Sequence, residues 1–125
     1  SLHQFALKNQ TPETPNTLAI WLLAGVIEDF LRKGIQTIRR ETEYKAAILY
    51  QALDQHPLVK PFVSENQWRS KTVIVAQTGD RTHRLSEHLA GRGLLAGDGY
   101  GPGKGNQLRF ANFPTHSKEQ FEWLV

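Results

Sequence analysis

KTVIVAQ, residues 71–77, is a short β-branched and apolar run with turn-forming residues on both sides. Such a run predicts a strand, and it is the clearest one in the chain. Working upstream, LVKPFV (58–63) is extended but contains Pro61, which suits an edge strand. Before it, Ile35, Ile38, Ala46, Leu49 and Leu53 recur at three- and four-residue spacing, predicting a helix from about Ile35 to His56 that Pro57 stops. Earlier still, LAIWLLAGVIEDFLRKG (18–34) is apolar on nearly all sides and closes at Gly34, the pattern of a buried helix with a glycine C-cap signal; Thr14 before Pro15 makes a sensible N-cap. Downstream, Asp80 is the expected cap of a helix through Leu85 and Leu89 that ends at Gly91 and Gly93. GLLAG (93–97) then predicts a short strand, GDGYGPGKGN (97–106) a flexible loop, and NQLRFANF (106–113) another strand. Ser117 with Gln120 three residues later forms a capping box for a final helix. The expected fold is therefore α+β: a short, mainly antiparallel sheet with helices packed on one face, preceded by a long apolar helix.

With 125 residues the chain is the size of one modest domain. A hydrophobic share of 39% and a charged share of 22% place it among ordinary globular proteins rather than disordered or fibrous ones. The longest apolar run, Leu18–Ala24 continuing through Val26 and Ile27, is about half the roughly 20 residues needed to cross a bilayer, so no membrane partner is expected. With no cysteine, disulfides and thiolate metal sites are excluded, and a cytoplasmic setting is expected. The net charge of +3 comes from basic residues spread along the chain, whereas nucleic acid binding needs a concentrated basic face. The chain starts at Ser1 and contains no methionine, which is expected of a processed start or of a piece of a longer protein.

The glycine-rich stretch 97–106 does not fit a phosphate loop: a Walker spacing needs glycine where Asp98 stands and Ser or Thr where Gly105 stands. It is better taken as a connector that approaches a ligand. His83 and His88 are five apart and do not share a helix face, and His3, His56 and His116 are scattered, so no metal site is expected. Trp21, Trp68 and Trp123 suit a core or an interface. Arg109 lies in an apolar strand directly after the glycine loop. Its guanidinium fork there either faces solvent or binds a carboxylate with two parallel bonds.

Taken in order, these motifs resemble the C-terminal small domain of class V pyridoxal-phosphate aminotransferases, phosphoserine aminotransferase in particular, over essentially the whole chain. ETPNTLAIW (13–21) stands where the family has NTPPTFAIY, EYKAAILYQALD (43–54) matches its second long helix, and RSKTVIV (69–75) takes the place of RSRMNVPF. AGRGLLAG (90–97) resembles AAGLxxLKG, and LRFANFP (108–114) stands for IRASIYNAMP.

The resemblance implies a parent enzyme that uses pyridoxal 5'-phosphate as an electron sink, with a Schiff-base lysine in a large domain upstream. None of the lysines in this chain occupies that position, so the chain alone is expected to be catalytically silent. Thr14, joined by Thr11, is implied as a contact to the cofactor phosphate of the other subunit of a homodimer, with Glu13 standing where the family has asparagine. Arg109 is implied as the residue holding the substrate α-carboxylate. The implied substrate is a small amino acid or its phosphorylated form; the family's GHR element has no counterpart in GDGYGPGKG. The alternative is a free-standing α+β binding or regulatory module for an acidic ligand or nucleic acid, suggested by a pI of about 9.4.

Overall fold

The computed structural model describes residues 2–125. These residues form two compact units, one running to Ile35 and the other comprising Gln36–Val125.

The first unit contains two helices. α1 (Leu2–Leu7) has no counterpart among the elements predicted from sequence; Asn9, in the left-handed region at φ 52°, ends it. The amides of Asn9 and Gln10 donate back to the carbonyls of Ala6 and Phe5, which satisfies two of the orphaned helix-end acceptors. α2 (Thr17–Lys33) forms where the apolar run predicts it, and Gly34 caps it at φ 85° with its N–H donating to the Phe30 carbonyl. Its N-cap is Asn16 rather than Thr14: the Asn16 side chain accepts from the Ala19 amide at 3.0 Å. The expectation of a buried helix is corrected too, because α2 has no buried residue. Leu18, Trp21 and Leu31 are among its exposed large side chains. A helix apolar on nearly every side finds no covering surface within a unit of two helices.

The second unit is an α+β layer. α3 (Ile35–Gln55), most of which belongs to this unit, leads to β1 (Lys60–Pro61), β2 (Val73–Gln77), α4 (Thr82–Gly91), β3 (Gly97–Asp98), β4 (Gln107–Ala111) and α5 (Lys118–Leu124). The sheet is antiparallel throughout, in the order β1-β2-β4-β3. Pro61 sits in the two-residue edge strand β1, where a missing amide donor costs no ladder bond.

Along β2 burial alternates with period two: Ile74 and Ala76 are buried, whereas Val73, Val75 and Gln77 point the other way. Ile74 and Ala76 join Ala46, Leu49, Tyr50 and Leu53 of α3 and Phe121 of α5 in one core, so the helices pack on one face of the sheet. The register places Phe110 opposite Ile74 and Leu108 opposite Ala76 on that face, leaving Gln107, Arg109 and Ala111 beside Gln77, Val75 and Val73 on the other.

Three further boundaries differ from those predicted. Asp80 lies in a 3₁₀ turn (Gly79–Arg81) and caps nothing; the turn into α4 is held by Thr82, whose hydroxyl donates to the Gly79 carbonyl at 2.7 Å, and by Thr78, which donates to the Asn106 carbonyl at 3.0 Å. The strand expected over GLLAG begins only at its last residue, Gly97, since Gly93 at φ 76° closes α4 and Leu94 bonds back to Leu89. The stretch 97–106 is a tied loop rather than a loose connector. It contains a 3₁₀ turn (Gly101–Gly103), and the amides of Gly99, Gly103 and Asn106 donate to the carbonyls of Gln107, Tyr100 and Gly103. The capping box at Ser117 and Gln120 is present as predicted.

Candidate functional site

Arg109 occupies the middle of β4, itself an inner strand, on the face away from the helices. Its cross-strand neighbours are Val75 on β2 and Gly97 on β3. The missing side chain at Gly97 lets the guanidinium fold across β3: a Cβ there would lie 3.1 Å from Nη2 of Arg109. So placed, Nε of Arg109 donates to the Asp98 carbonyl, and the guanidinium carbon sits 3.8 Å from the ring centroid of Tyr100. Among the described residues, neither terminal nitrogen of Arg109 carries a hydrogen bond or ion pair. A guanidinium half-buried on a rigid strand, with two parallel N–H donors uncommitted, suits a planar carboxylate.

The surroundings are shaped by backbone rather than by charge. An open cavity of about 510 Å³ covers this face, lined by Phe62, Val75, Gln77, Tyr100, Asn106 and Arg109 among others. Gln107 Nε2 donates to Gln77 Oε1 across the strands at 3.0 Å, so these two side chains on its lining are tied to each other. The loop closes tightly because Gly99 and Gly103 carry no side chains: a Cβ on Gly99 would fall 2.3 Å from the Gly103 carbonyl oxygen.

Beyond β4 the chain is fixed by buried polar groups. Asn112, fully buried, donates its side-chain amide to the carbonyls of Thr42 and Lys71 at 2.9 and 2.8 Å. Lys45, 1% exposed, donates to the carbonyls of Phe113 at 3.0 Å and His116 at 2.7 Å, with its ammonium over the Phe121 ring. Toward the end of α3, Arg69 forks onto Asp54 with two 2.7 Å bonds and stacks on Tyr50. The Arg69 hydrogen bond holds the Asp54 carboxyl below its ordinary pKa, and burial raises that of the Tyr50 hydroxyl. Arg69 and Asp54 satisfy each other, and the donors of Asn112 and Lys45 are taken up by backbone carbonyls, which makes them struts rather than receptors for a ligand; among the described residues only Oδ1 of Asn112 is left buried without a partner.

No family model and no curated protein matches the sequence. Among solved structures, a phosphoserine aminotransferase (SerC) from Cytophaga hutchinsonii is 39% identical, with a TM-score of 0.87 over 97% of this chain and 34% of that one. Over that span the chain resembles a phosphoserine aminotransferase in both sequence and fold. A second phosphoserine aminotransferase, from Bacillus circulans subsp. alkalophilus, shares the fold at 19% identity, with a TM-score of 0.82 over 96% of this chain and 34% of that one. The chain spans about a third of the length of the solved structures it matches.

The three residues singled out from sequence fall into two groups. Arg109 lies in the second unit, whereas Thr11 and Thr14 lie in the first, in the exposed segment leading into α2. The Thr11 hydroxyl is engaged, donating to the Glu13 carbonyl at 2.6 Å. No partner is assigned to the Thr14 hydroxyl among the described residues. Tyr100 and Gly97 were not singled out from sequence, since an aromatic and a glycine within a glycine-rich run give no signal until pairing sets them against Arg109. Among the described residues, no group of three or more metal-ligating side chains occurs and no helix is long and apolar enough to cross a membrane.

Proposed function

We propose that this chain is the small domain of a dimeric, pyridoxal-phosphate-dependent aminotransferase acting on a small amino acid or its phosphorylated form. The observation that carries it is the 39% identity to a phosphoserine aminotransferase along 97% of the chain. In this role Arg109 binds the substrate α-carboxylate through its two free terminal nitrogens. The charge-assisted pair orients the amino acid, and a planar fork does so with more angular definition than an ammonium.

Thr14 contributes a hydroxyl to the cofactor phosphate of the partner subunit. The donor chemistry fits a phosphate: its hydroxyl is uncommitted, and first-turn amides of α2 other than that of Ala19 are left by the Asn16 cap. Thr11 fits less directly, because its proton is already given to the Glu13 carbonyl, so it stiffens the segment that carries Thr14. When bound, pyridoxal phosphate supplies an electron sink for the substrate amine, with its Schiff-base lysine contributed by the remainder of the parent protein.

The test uses the full-length parent protein. Arg109→Ala is expected to lower kcat/KM for the amino acid by about 100-fold or more, as loss of two charge-assisted hydrogen bonds demands, with the cofactor absorbance unchanged. An unaltered kcat/KM would remove Arg109 from the carboxylate site. Thr14→Ala is expected to weaken cofactor retention in dialysis without altering the Arg109-dependent KM.

A further inference from the structure

Tyr100 is 76% exposed, at the tip of a loop whose other members are largely glycine. A large aromatic held in water gains nothing from burial, so its placement needs another cause. Its ring contact is the Arg109 guanidinium, with 3.8 Å between guanidinium carbon and ring centroid. The loop is built to hold the ring there. The Tyr100 carbonyl accepts from the Gly103 amide at 2.9 Å, and Gly99 and Gly103 approach so closely that a side chain on either would collide with its neighbours. Below the guanidinium, Gly97 leaves room for Nη2, and at its root the Asp98 carbonyl takes the Nε proton.

An arginine side chain free in solvent samples many rotamers, and binding a carboxylate must then freeze them. Here one guanidinium face is covered by Tyr100, and Nε is already committed. A carboxylate is left with one good approach, end-on to the two terminal nitrogens. We infer that Tyr100 and Gly97 are positioning residues that present the Arg109 fork, pre-ordered and end-on, to the carboxylate of an amino acid substrate. This inference rests on Arg109 being the carboxylate-binding residue, so the test separates the two.

In the full-length parent protein, Tyr100→Ala is expected to raise KM for the amino acid by about 3- to 10-fold, with kcat, cofactor absorbance and thermal midpoint little changed. Tyr100→Phe, which keeps the ring and loses only the hydroxyl, restores KM to within about 2-fold of the parent value. Gly97→Ala, which pushes on Nη2 by a few tenths of an ångström, raises KM in the same way. In the Arg109→Ala background, Tyr100→Ala has no further effect on KM, because nothing remains to be positioned. If Arg109→Ala cripples the enzyme and Tyr100→Ala leaves KM unchanged, or if the two effects simply add, the positioning role is overturned while the role of Arg109 stands. If Arg109→Ala itself leaves kcat/KM unchanged, the carboxylate assignment fails, and this inference with it.

Discussion

Replacing Asn112 by aspartate changes a single side-chain atom at the point where α3, β2 and β4 are tied together. The side-chain nitrogen donates to the carbonyls of Thr42 and Lys71, while the backbone amide of the same residue donates to Thr72. In Asn112→Asp an oxygen replaces that two-donor nitrogen, opposite two carbonyl oxygens. A neutral carboxyl still donates one proton, so below about pH 4 the cost is one hydrogen bond and one carbonyl without its partner, about 2 kcal/mol. An ionised carboxylate donates none and is buried, so its folded pKa rises above the usual value of about 3.9; a rise of about 3 units, at 1.36 kcal/mol each, adds about 4 kcal/mol by pH 7. The sign follows from a raised folded pKa: stability is retained below the unfolded pKa near 3.9 and lost at about 1.4 kcal/mol per pH unit as pH rises toward the folded value. A total of about 6 kcal/mol is comparable to the whole stability expected of a unit spanning Gln36–Val125, about 5 to 13 kcal/mol. Urea unfolding followed by far-ultraviolet circular dichroism from about pH 4 to pH 7 reads this directly. Asn112→Ala, with no titrating group, is expected to cost about 2 to 4 kcal/mol with the pH dependence of the parent chain. If Asn112→Asp and Asn112→Ala show the same slope with pH, the buried, doubly donating role of Asn112 is refuted.

Adjacent positions of β2 test which face is the core: Ile74→Ala, at a site 0% exposed, should cost about 2 to 4 kcal/mol in urea unfolding, and Val75→Ala on the open face less than about 1.5 kcal/mol, with equal losses contradicting the assigned register. Because Arg69 depresses the Asp54 pKa, stability from that pair is present above the unfolded value near 3.9 and lost as pH falls through the folded one. The side chain is 48% exposed, so the loss is held to about 1 kcal/mol or less, and Asp54→Asn should flatten the acid limb of the stability curve; an unchanged limb would remove the pair from acid unfolding.

The fold was legible wherever a local pattern carries its own cause. The three- and four-residue spacing of α3, the β-branched run of β2, Pro61 at an edge and the box at Ser117 each state their structure within a few residues. The sequence misleads where neighbouring residues compete for one role, as at the start of α2, or where a distant partner decides, as at α4. Asn16 outcompetes Thr14 as the cap of α2 because its side-chain oxygen reaches the Ala19 amide. Thr78, tied to the Asn106 carbonyl at the far end of the loop, and Thr82, bonded to the Gly79 carbonyl, displace Asp80 at α4. The burial of α2 was misjudged because apolarity records a need for cover without saying that the cover lies in the same unit. At the site, Arg109 stood out as a charge in an apolar strand, whereas Tyr100 and Gly97 acquire meaning only from the antiparallel register of β3 on β4.

The sheet order has a consequence for biosynthesis. β2 pairs with β4, whose first residue, Gln107, lies 30 positions after its partner Gln77. At about 5 to 20 residues per second, a ribosome needs roughly 2 to 6 seconds to make that stretch. Throughout that interval the inner edge of VIVAQ, flanked on its other side only by the two-residue β1, waits with its hydrogen-bonding groups unmatched. The nascent chain is therefore most prone to pairing with a neighbouring nascent chain in the seconds before LRFANF emerges, and slowing translation between β2 and β4 would lengthen that exposure.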